Sequence, residues 1–341
     1  MNKKLLLPLA AVCLLAGACA KNEVSTTGQN AQKYIQLWMD KYHPGISANE
    51  NGLYILEDTP GTGFEWTGAS QYIYARSTIT TLSGTISSTT EEKLAQQLGT
   101  YVKGNYYGPR YQIVGEGYSY AGMDAMLEGM RLGGTRKAVI PAWMLTTSRY
   151  LTQEEYIKNC STSTHLIYEI TLVSMTDDPE EAQTSLLANY VTTHYGNVAS
   201  VSYITDTDPD GTFWFISDVS GFKEEDALST NATVNVNYTG KLLDGTVFDT
   251  TLEKVAKDAG IYSADREYAP QSVTLSETYS DITMGSSSSL ISGFQGGLSL
   301  MHWKGQKAVV LFASKHGYSS SGSGNTIPAY APLIFELEIL E

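Results

Sequence analysis

The chain has 341 residues, 42% of them apolar, with 22 Lys and Arg against 36 Asp and Glu for a net charge of -14. That length exceeds one typical domain of about 100 to 150 residues and the apolar content is enough for packed cores, while an acidic balance without basic clusters argues against nucleic acid as a partner. The 31 Gly and 23 Tyr, beside modest Leu runs, point to a strand-rich architecture.

In chain order, Lys3 and Lys4 precede an apolar run from Leu5 to Leu15 that is too short for a membrane span and suits an export leader. Loss of those two lysines takes the net charge from -14 to -16. Leu15-Ala16-Gly17-Ala18-Cys19 resembles a bacterial lipobox, with Ala16 at the usual Leu position. On that reading residues 1–18 are a lipoprotein signal peptide, Cys19 is lipidated as the mature N-terminus, and 19–29 form a tether. The protein is then exported and membrane-anchored, on the periplasmic face or the cell surface. The competing reading is cleavage after Ala18-Cys19-Ala20, an Ala-x-Ala site that frees the protein. Cys13 departs with the leader, so Cys160 is the only unmodified thiol, no internal disulfide is possible, and Cys160 is read as inert.

An internal repeat organises the rest. Ala31-Gln32 through Gly45 parallels Ala182-Gln183 through Gly196, each an amphipathic helix followed by a turn. In the first, Tyr34, Leu37, Trp38, Lys41 and Tyr42 recur at helical spacing as the expected packing stripe. Thr89 to Tyr101 matches Thr250 to Tyr262 without a gap, which predicts a short helix in each half, and Ser88 followed by Glu91 reads as a capping box. Asp206-Thr207-Asp208-Pro209-Asp210-Gly211 begins like a calcium loop, but Ser217 stands where a bidentate Glu belongs. The corresponding Ala48-Asn49-Glu50-Asn51-Gly52 favours a plain turn in both places. His43, His165, His194, His302 and His316 lack metal-ligand spacing, so no metal or other cofactor is expected. Gly117-Tyr118-Ser119-Tyr120-Ala121 falls one Gly short of a nucleophile elbow.

The most informative stretch is Val234 to Thr251. Val234, Val236 and Tyr238 alternate with Asn235 and Asn237 at period two, predicting a strand with one apolar face. Asp244-Gly245 supplies a reversing turn, after which Phe248 and Asp249 return beside Tyr238 as a small pocket wall. Farther on come a helix over Leu290 to Leu298, a strand over Lys307 to Ala313, and a closing strand in which Leu333, Phe335, Leu337 and Ile339 face inward.

This set of motifs, spanning roughly residues 211 to 341, resembles the FKBP-type peptidyl-prolyl isomerases: Tyr-Thr-Gly at 238–240, the Asp-Gly turn, Phe248-Asp249, the helix with Phe294 where most members carry Trp, Gly317-Tyr318, Ile327-Pro328 and the last strand. The fold implied is α+β, two tandem FKBP-like domains, each an antiparallel sheet wrapped on a short helix and preceded by an amphipathic helix, over residues 30–176 and 177–341. In the second, the resemblance implies that Tyr238, Phe248, Ile291, Phe294 and Phe335 form the wall and floor of a site for the prolyl ring. It further implies that Tyr318 donates to a substrate carbonyl, the Ile291 backbone N–H grips another, Asp249 orients the polar tips and Ile327 closes the rim. Proline-containing polypeptides, and macrolide inhibitors, are the implied ligands. Gln271 replaces a usual pocket aromatic, and Glu277 to Ser289 is an insert expected to gate the pocket or lengthen a surface loop.

The first domain resembles the family in scaffold only. Gly122, Met130 and Gly133 keep the helix and turn pattern, but Ser77, Ser87, Ser88, Met123 and Thr146 stand where the second has Tyr238, Phe248, Asp249, Phe294 and Tyr318, and only Tyr168 keeps a ring. An inactive, structural or adhesive role is expected there. The alternative for the whole chain is a non-catalytic lipoprotein that binds polypeptide or glycan, or acts as a chaperone, in which Tyr101, Tyr106, Tyr107, Tyr111, Tyr118 and Tyr120 present an aromatic face; strand-face packing is the commoner use of such tyrosines.

Overall fold

The computed structural model describes residues 25–68, 71–196, 211–287 and 289–340. The leader, Cys19 and Asp206 to Asp210 lie outside the described residues. Among the described residues no helix is long and apolar enough to cross a membrane.

Helix α1 (Thr27–Tyr42) starts where Thr26 and Gln29 satisfy each other's backbone amides in a reciprocal cap. Its buried face is Gly28, Ala31, Ile35 and Met39. Of the expected stripe Trp38 does pack on the core, donating its Nε1–H to the Leu82 carbonyl at 3.2 Å, but Tyr34, Leu37 and Tyr42 are 54%, 70% and 56% exposed. The reason lies at Gly28, whose missing side chain lets the helix lie directly on the Ile157 carbonyl, and a Cβ there would come within 2.0 Å of that oxygen. This close approach selects the small-residue face.

The first half of the chain then builds strands β1 (Tyr54–Thr59), β2 (Tyr72–Thr81) and β3 (Ile86–Thr89), helix α2 (Glu92–Gln97), strand β4 (Arg110–Ile113), helix α3 (Ala121–Leu127), strand β5 (Thr135–Ile140), helix α4 (Gln153–Lys158) and strand β6 (Leu166–Thr176). The sheet runs β1-β5-β6-β2-β3, with β4 on the first residues of β2. Every pairing is antiparallel. Ile73, Ala75, Ile170 and Leu172 are fully buried on one face against α3.

Helix α5 (Pro179–Tyr195) opens the second half. Asp178 caps it by accepting from the amides of Glu180 and Glu181, and Pro179 takes the first position, where no backbone donor is needed. Strands β7 (Phe213–Ile216), β8 (Thr233–Leu242) and β9 (Val247–Thr250), helix α6 (Glu253–Ala259), strands β10 (Gln271–Thr274) and β11 (Thr283–Met284), helix α7 (Ser292–Ser299), and strands β12 (Lys307–Phe312) and β13 (Leu333–Ile339) follow. The order is β11-β10-β8-β13-β12-β7, with β9 also on β8. Apart from β11 this is the first sheet again, strand for strand.

The repeat extends to single hydrogen bonds. The Ser77 amide donates to Thr90 Oγ1 at 2.9 Å, and the Tyr238 amide donates to Thr251 Oγ1 at 3.0 Å. Both predicted short helices are present, as α2 and α6. The expected capping box is not: Glu91 itself is the cap residue of α2, and Thr89 Oγ1 accepts its amide as Thr250 Oγ1 accepts that of Leu252. Helix α5 packs Leu187 and Val191 on Ile216, Leu311, Ala313 and Ile334, the outer face of the second sheet. Gln183 clamps the buried Ser314 there, accepting its amide at 2.7 Å and donating to its hydroxyl at 3.0 Å.

In the Glu277 to Ser289 insert most described residues are exposed, but β11 pairs with β10 and Ile282 is fully buried. Gln295 of α7 donates to the carbonyls of Ser280 and Ile282 at 3.2 and 3.0 Å, so the insert is fastened to the helix and the sheet edge. The Ala48 to Gly52 segment is the plain turn expected, with Asn49 accepting from the amides of Asn51 and Leu53. Cys160 is half-buried and unpaired with any other cysteine of the described residues, its thiol against the Thr162 carbonyl at 3.0 Å.

His165 is 2% exposed, and its Nδ1 accepts from the Ala142 amide at 3.1 Å, which fixes a neutral ring with its proton on Nε2. Burial pushes its pKa down to about 4 from 6.5. The unfolded chain therefore binds more protons than the folded one between those values, so stability is full above about pH 6.5 and falls as pH drops toward 4. Thermal unfolding across that window should show the loss in the wild type, and His165→Asn, which keeps an acceptor without a titrating ring, should flatten it.

Candidate active site

Strand β8 turns over at Asp244-Gly245, where Asp244 Oδ1 accepts the Thr246 amide at 2.9 Å and Gly245 takes φ +88°. The turn sets β9 antiparallel to β8 with Gly240 opposite Asp249. On its other side β8 pairs with β13, which puts Gly240 opposite Phe335. A Cβ at Gly240 would lie 2.5 Å from the Phe248 ring and 3.1 Å from that of Phe335, so the absence of a side chain is what lets both rings close over the strand. Helix α7 approaches from beneath. Gly293 lies flat on the Phe312 ring, where a Cβ would come within 2.5 Å, and the next residue, Phe294, points into the cluster.

Four rings meet there. Phe294 stands edge-on to Tyr238 at 5.4 Å and to Phe335 at 5.1 Å between centroids, and Phe248 is edge-on to Phe335 at 5.6 Å. Each such pair adds about 0.5 to 1.5 kcal/mol beyond its buried area, and mutual edge contacts fix ring orientation. Tyr238, Phe294, Ile327 and Phe335 are buried in the cluster, with Phe248, Ile291 and Tyr318 half-buried at its border. Ile291 is the residue from which α7 starts. The structure thus places seven of the eight residues singled out in the sequence in or against one hydrophobic cluster, and joins the eighth, Asp249, to it through the Tyr238 hydroxyl. Gln271 opens strand β10 and donates to the Ala269 carbonyl at 3.0 Å.

The polar side of the concavity is a chain of three. Tyr238 donates its hydroxyl to Asp249 Oδ2 at 2.7 Å, while Asp249 Oδ1 accepts the Thr250 amide at 2.8 Å and pairs with Arg266. Burial, then the Asp249 charge, raises the Tyr238 pKa, so the hydroxyl stays protonated throughout the ordinary pH range. Burial disfavours the Arg266 charge, but its bond to Asp249 outweighs that and the guanidinium is held charged. Burial and then Asp249 also raise the Tyr318 pKa, and the Tyr318 hydroxyl is tied to no acceptor among the described residues. It is the donor left over for a ligand.

Arg266 was not legible in the sequence. It sits in the connection between α6 and β10, outside any periodic element, and only proximity reveals it. With both its oxygens engaged, Asp249 is an orienting group; no nucleophile with a base in reach accompanies it. Among the described residues no group of three or more His, Cys, Asp or Glu converges as metal ligands would. The arrangement suits reversible binding of a compact apolar ring beside a polar edge. In the first half the same strand positions hold Ser77, Ser88 and Tyr168, by equivalent register, and Met123 occupies the third residue of α3 as Phe294 does in α7.

Residues 224–340 match the family profile described as FKBP-type peptidyl-prolyl cis-trans isomerase. A "Probable FKBP-type peptidyl-prolyl cis-trans isomerase" of Haemophilus influenzae is 31% identical over 116 residues, which is 34% of this chain and 37% of that protein's length. An "FK506-binding protein" of Neisseria meningitidis serogroup C is 32% identical over 108 residues, 32% of this chain and 77% of that protein. A solved peptidyl-prolyl cis-trans isomerase of Pseudomonas syringae pv. tomato aligns with 24% identity and a TM-score of 0.30 over 49% of this chain and 97% of its own.

Replacing Gly240 by Ala should swing Phe248 away from Phe335, because the far end of the Phe248 ring is the group able to yield. The expected cost is about 1 kcal/mol of overpacking in urea unfolding. A crystal structure of the variant, or loss of ring-current shifts at Phe248, would show the displaced ring; an unmoved Phe248 would contradict the close-packing argument.

Proposed function

The chain belongs to the FKBP-type peptidyl-prolyl cis-trans isomerase family, and from that premise we propose that residues 177–341 catalyse rotation about X-Pro bonds while residues 30–176 form a second, non-catalytic copy of the fold. The observation that carries the reading is the ring cluster of Tyr238, Phe248, Phe294 and Phe335, with the Tyr238–Asp249–Arg266 chain along its edge.

Rotation of an X-Pro amide is opposed by a barrier of about 18 to 20 kcal/mol from C–N resonance. No bond needs to be made or broken, so the task is to bind the twisted amide better than either planar isomer. A low-polarity enclosure disfavours the charge-separated planar form, and the prolyl ring fills the floor over Phe294. Tyr318 donates to a substrate carbonyl and the Ile291 amide holds another, with Ile327 at the rim. Asp249 keeps the Tyr238 hydroxyl turned toward itself and away from the apolar floor. A preference of about 4 kcal/mol for the twisted amide corresponds to roughly a thousandfold acceleration.

The substrates on this reading are proline-containing segments of exported polypeptides, and macrolides of the FK506 type compete for the same concavity. Lys3 and Lys4, the apolar run to Leu15 and the lipobox ending at Cys19 support export and anchoring of the mature chain on the periplasmic face or the cell surface.

The full chain should accelerate cis/trans isomerisation of a short X-Pro peptide, with Phe248→Ala and Asp249→Asn lowering kcat/KM by about 10- to 1000-fold while near-ultraviolet circular dichroism stays native. A folded wild-type chain without acceleration would sink the catalytic reading in favour of polypeptide or glycan binding. For the anchor, cells expressing the protein should incorporate labelled fatty acid into the wild type and none into Cys19→Ser. Equal labelling, or a mature N-terminus beyond Ala20, would overturn lipidation.

A further inference from the structure

Of all connections in the second half, the one from Gly317 to Pro332 bears most directly on the site, because it carries Tyr318 and Ile327. It contains both non-glycine residues of the described chain with positive φ, Ser319 at 48° and Tyr330 at 59°. Left-handed backbone at a Tyr is strained and persists only where surroundings enforce it. The two strained residues are joined, the Tyr330 amide donating to the Ser319 carbonyl at 2.8 Å. Inside that closure, Ser323 and Ile327 exchange backbone bonds of 2.7 and 3.0 Å. The loop is one linked unit, so what holds Tyr330 also holds the residue after Tyr318.

What holds it comes from the other half of the chain. Tyr72 and Tyr74 alternate with the fully buried Ile73 and Ala75 along β2, so they stand on the outer face of the first sheet, with Tyr111 of β4 opposite Tyr74. Tyr330 donates to the Tyr72 hydroxyl at 3.3 Å and sets its ring at right angles to Tyr72 and Tyr111, at 5.6 and 5.7 Å. A second contact lies two residues before Ile327, where the Tyr106 amide donates to the Asn325 carbonyl at 3.0 Å. The Tyr106 side chain packs against the hydrophobic core of the second half. Its hydroxyl is fixed by Tyr74 at 3.2 Å and the Pro109 carbonyl at 3.0 Å, and the Arg110 guanidinium lies over its face at 5.6 Å. A cavity of about 380 Å³ runs between these tyrosines, Tyr190 and Pro328, so few other groups support that flank of the loop.

We propose that the first half of the chain, which lacks the site's rings and carboxylate, acts as a brace for the second: Tyr106 and Tyr330 are positioning residues that set where Tyr318 and Ile327 stand. This rests on the isomerase reading of the concavity. The tyrosine-rich segment from Tyr101 to Tyr111 then serves this junction, where the sequence left it as strand packing or an aromatic binding face.

The test uses the full chain with Tyr106→Ala and Tyr330→Ala, their native fold checked by circular dichroism and thermal unfolding, beside Tyr106→Phe, which keeps the ring and the backbone bond. Amide hydrogen exchange at Ile327 and Tyr330 should quicken about tenfold in both alanine variants and stay near wild type in Tyr106→Phe. Peptide isomerisation should lose about tenfold in kcat/KM, mainly through KM, because the loop contacts bound peptide. Unchanged exchange in both alanine variants would overturn the brace, and so would faster exchange with unaltered KM and kcat. A wild type that isomerises nothing would strike the reading of the concavity, while the exchange result would still decide whether the junction holds the loop.

Discussion

Everything at the site depends on the register of β8 between β9 and β13, which puts a residue without a side chain under two aromatic rings. Gly240 faces Asp249 on one side and Phe335 on the other, and that register fixes where Tyr238, two residues earlier, enters the cluster. A slip of one residue would send Tyr238 and Phe335 to the opposite face and bring Asn237 and Glu336 inward. The turn at Asp244-Gly245 pins one side of this register. The other is pinned by seven consecutive pairs from Leu333 to Ile339. The ring cluster is therefore a property of the sheet, and the helix and the loops complete it.

The duplicated first half shows which parts of this arrangement belong to the fold and which to the site. The strand order is shared, and so is the Thr that accepts the amide of the second residue of the central pair, Thr90 for Ser77 and Thr251 for Tyr238. Both halves also press a glycine of the short helix onto the strand behind it, Gly122 on Ile140 and Gly293 on Phe312. These features shape the core and survive in both. Most of the rings and the carboxylate do not: Ser77, Ser88 and Met123 stand at the Tyr238, Asp249 and Phe294 positions, only Tyr168 keeps a ring, and Met126 and Trp143 help complete the first core. A core can be rebuilt with other apolar groups at about the right volume, whereas a site needs particular atoms in particular places.

Much of this was legible in the chain because it is written in local patterns. Period-two alternation from Val234 to Tyr238 and again from Leu333 to Ile339 gave the strands, Asp-Gly gave the turn, and the family resemblance supplied the remaining rings of the site. The gapless match of Thr89–Tyr101 to Thr250–Tyr262 gave both short helices. What escaped was set by contacts distant in sequence. The face that α1 buries is chosen by Gly28 against a carbonyl 129 residues later, which the larger stripe of Tyr34, Leu37 and Tyr42 disguised. Arg266 belongs to no periodic element, and the insert at Glu277 to Ser289 reads as polar loop until Ile282 and the Gln295 amide are seen to fasten it. Nor does any local signal announce that Tyr330 adopts a left-handed backbone, or that its ring meets Tyr72 and Tyr111 in the other half of the chain.

The junction also bears on what the first copy of the fold, proposed to be non-catalytic, contributes to the second. The loop's own backbone bonds tie it to itself, and its outer flank borders a cavity, so on the proposal above it leans on an external partner. The first sheet offers a rigid one: Tyr72, Tyr74 and Tyr111 stand on adjoining strands whose opposite face is packed core, so their positions are set by the same register that holds Ile73 and Ala75 at zero exposure. Rings are suited to the task because they present a large contact area at the loss of only two side-chain torsions, with a hydroxyl to fix orientation. Helix α5 completes the connection, since it follows β6 of the first sheet after two residues and packs on the outer face of the second through Leu187 and Val191. Its Glu180 and Gln183 bind Ser314, three residues before the Gly317 that begins the loop. The loop is thus gripped at its start by the helix between the halves and at its end by the tyrosines of the first, and the precision of the site is shared between two sheets although its chemistry lies on one.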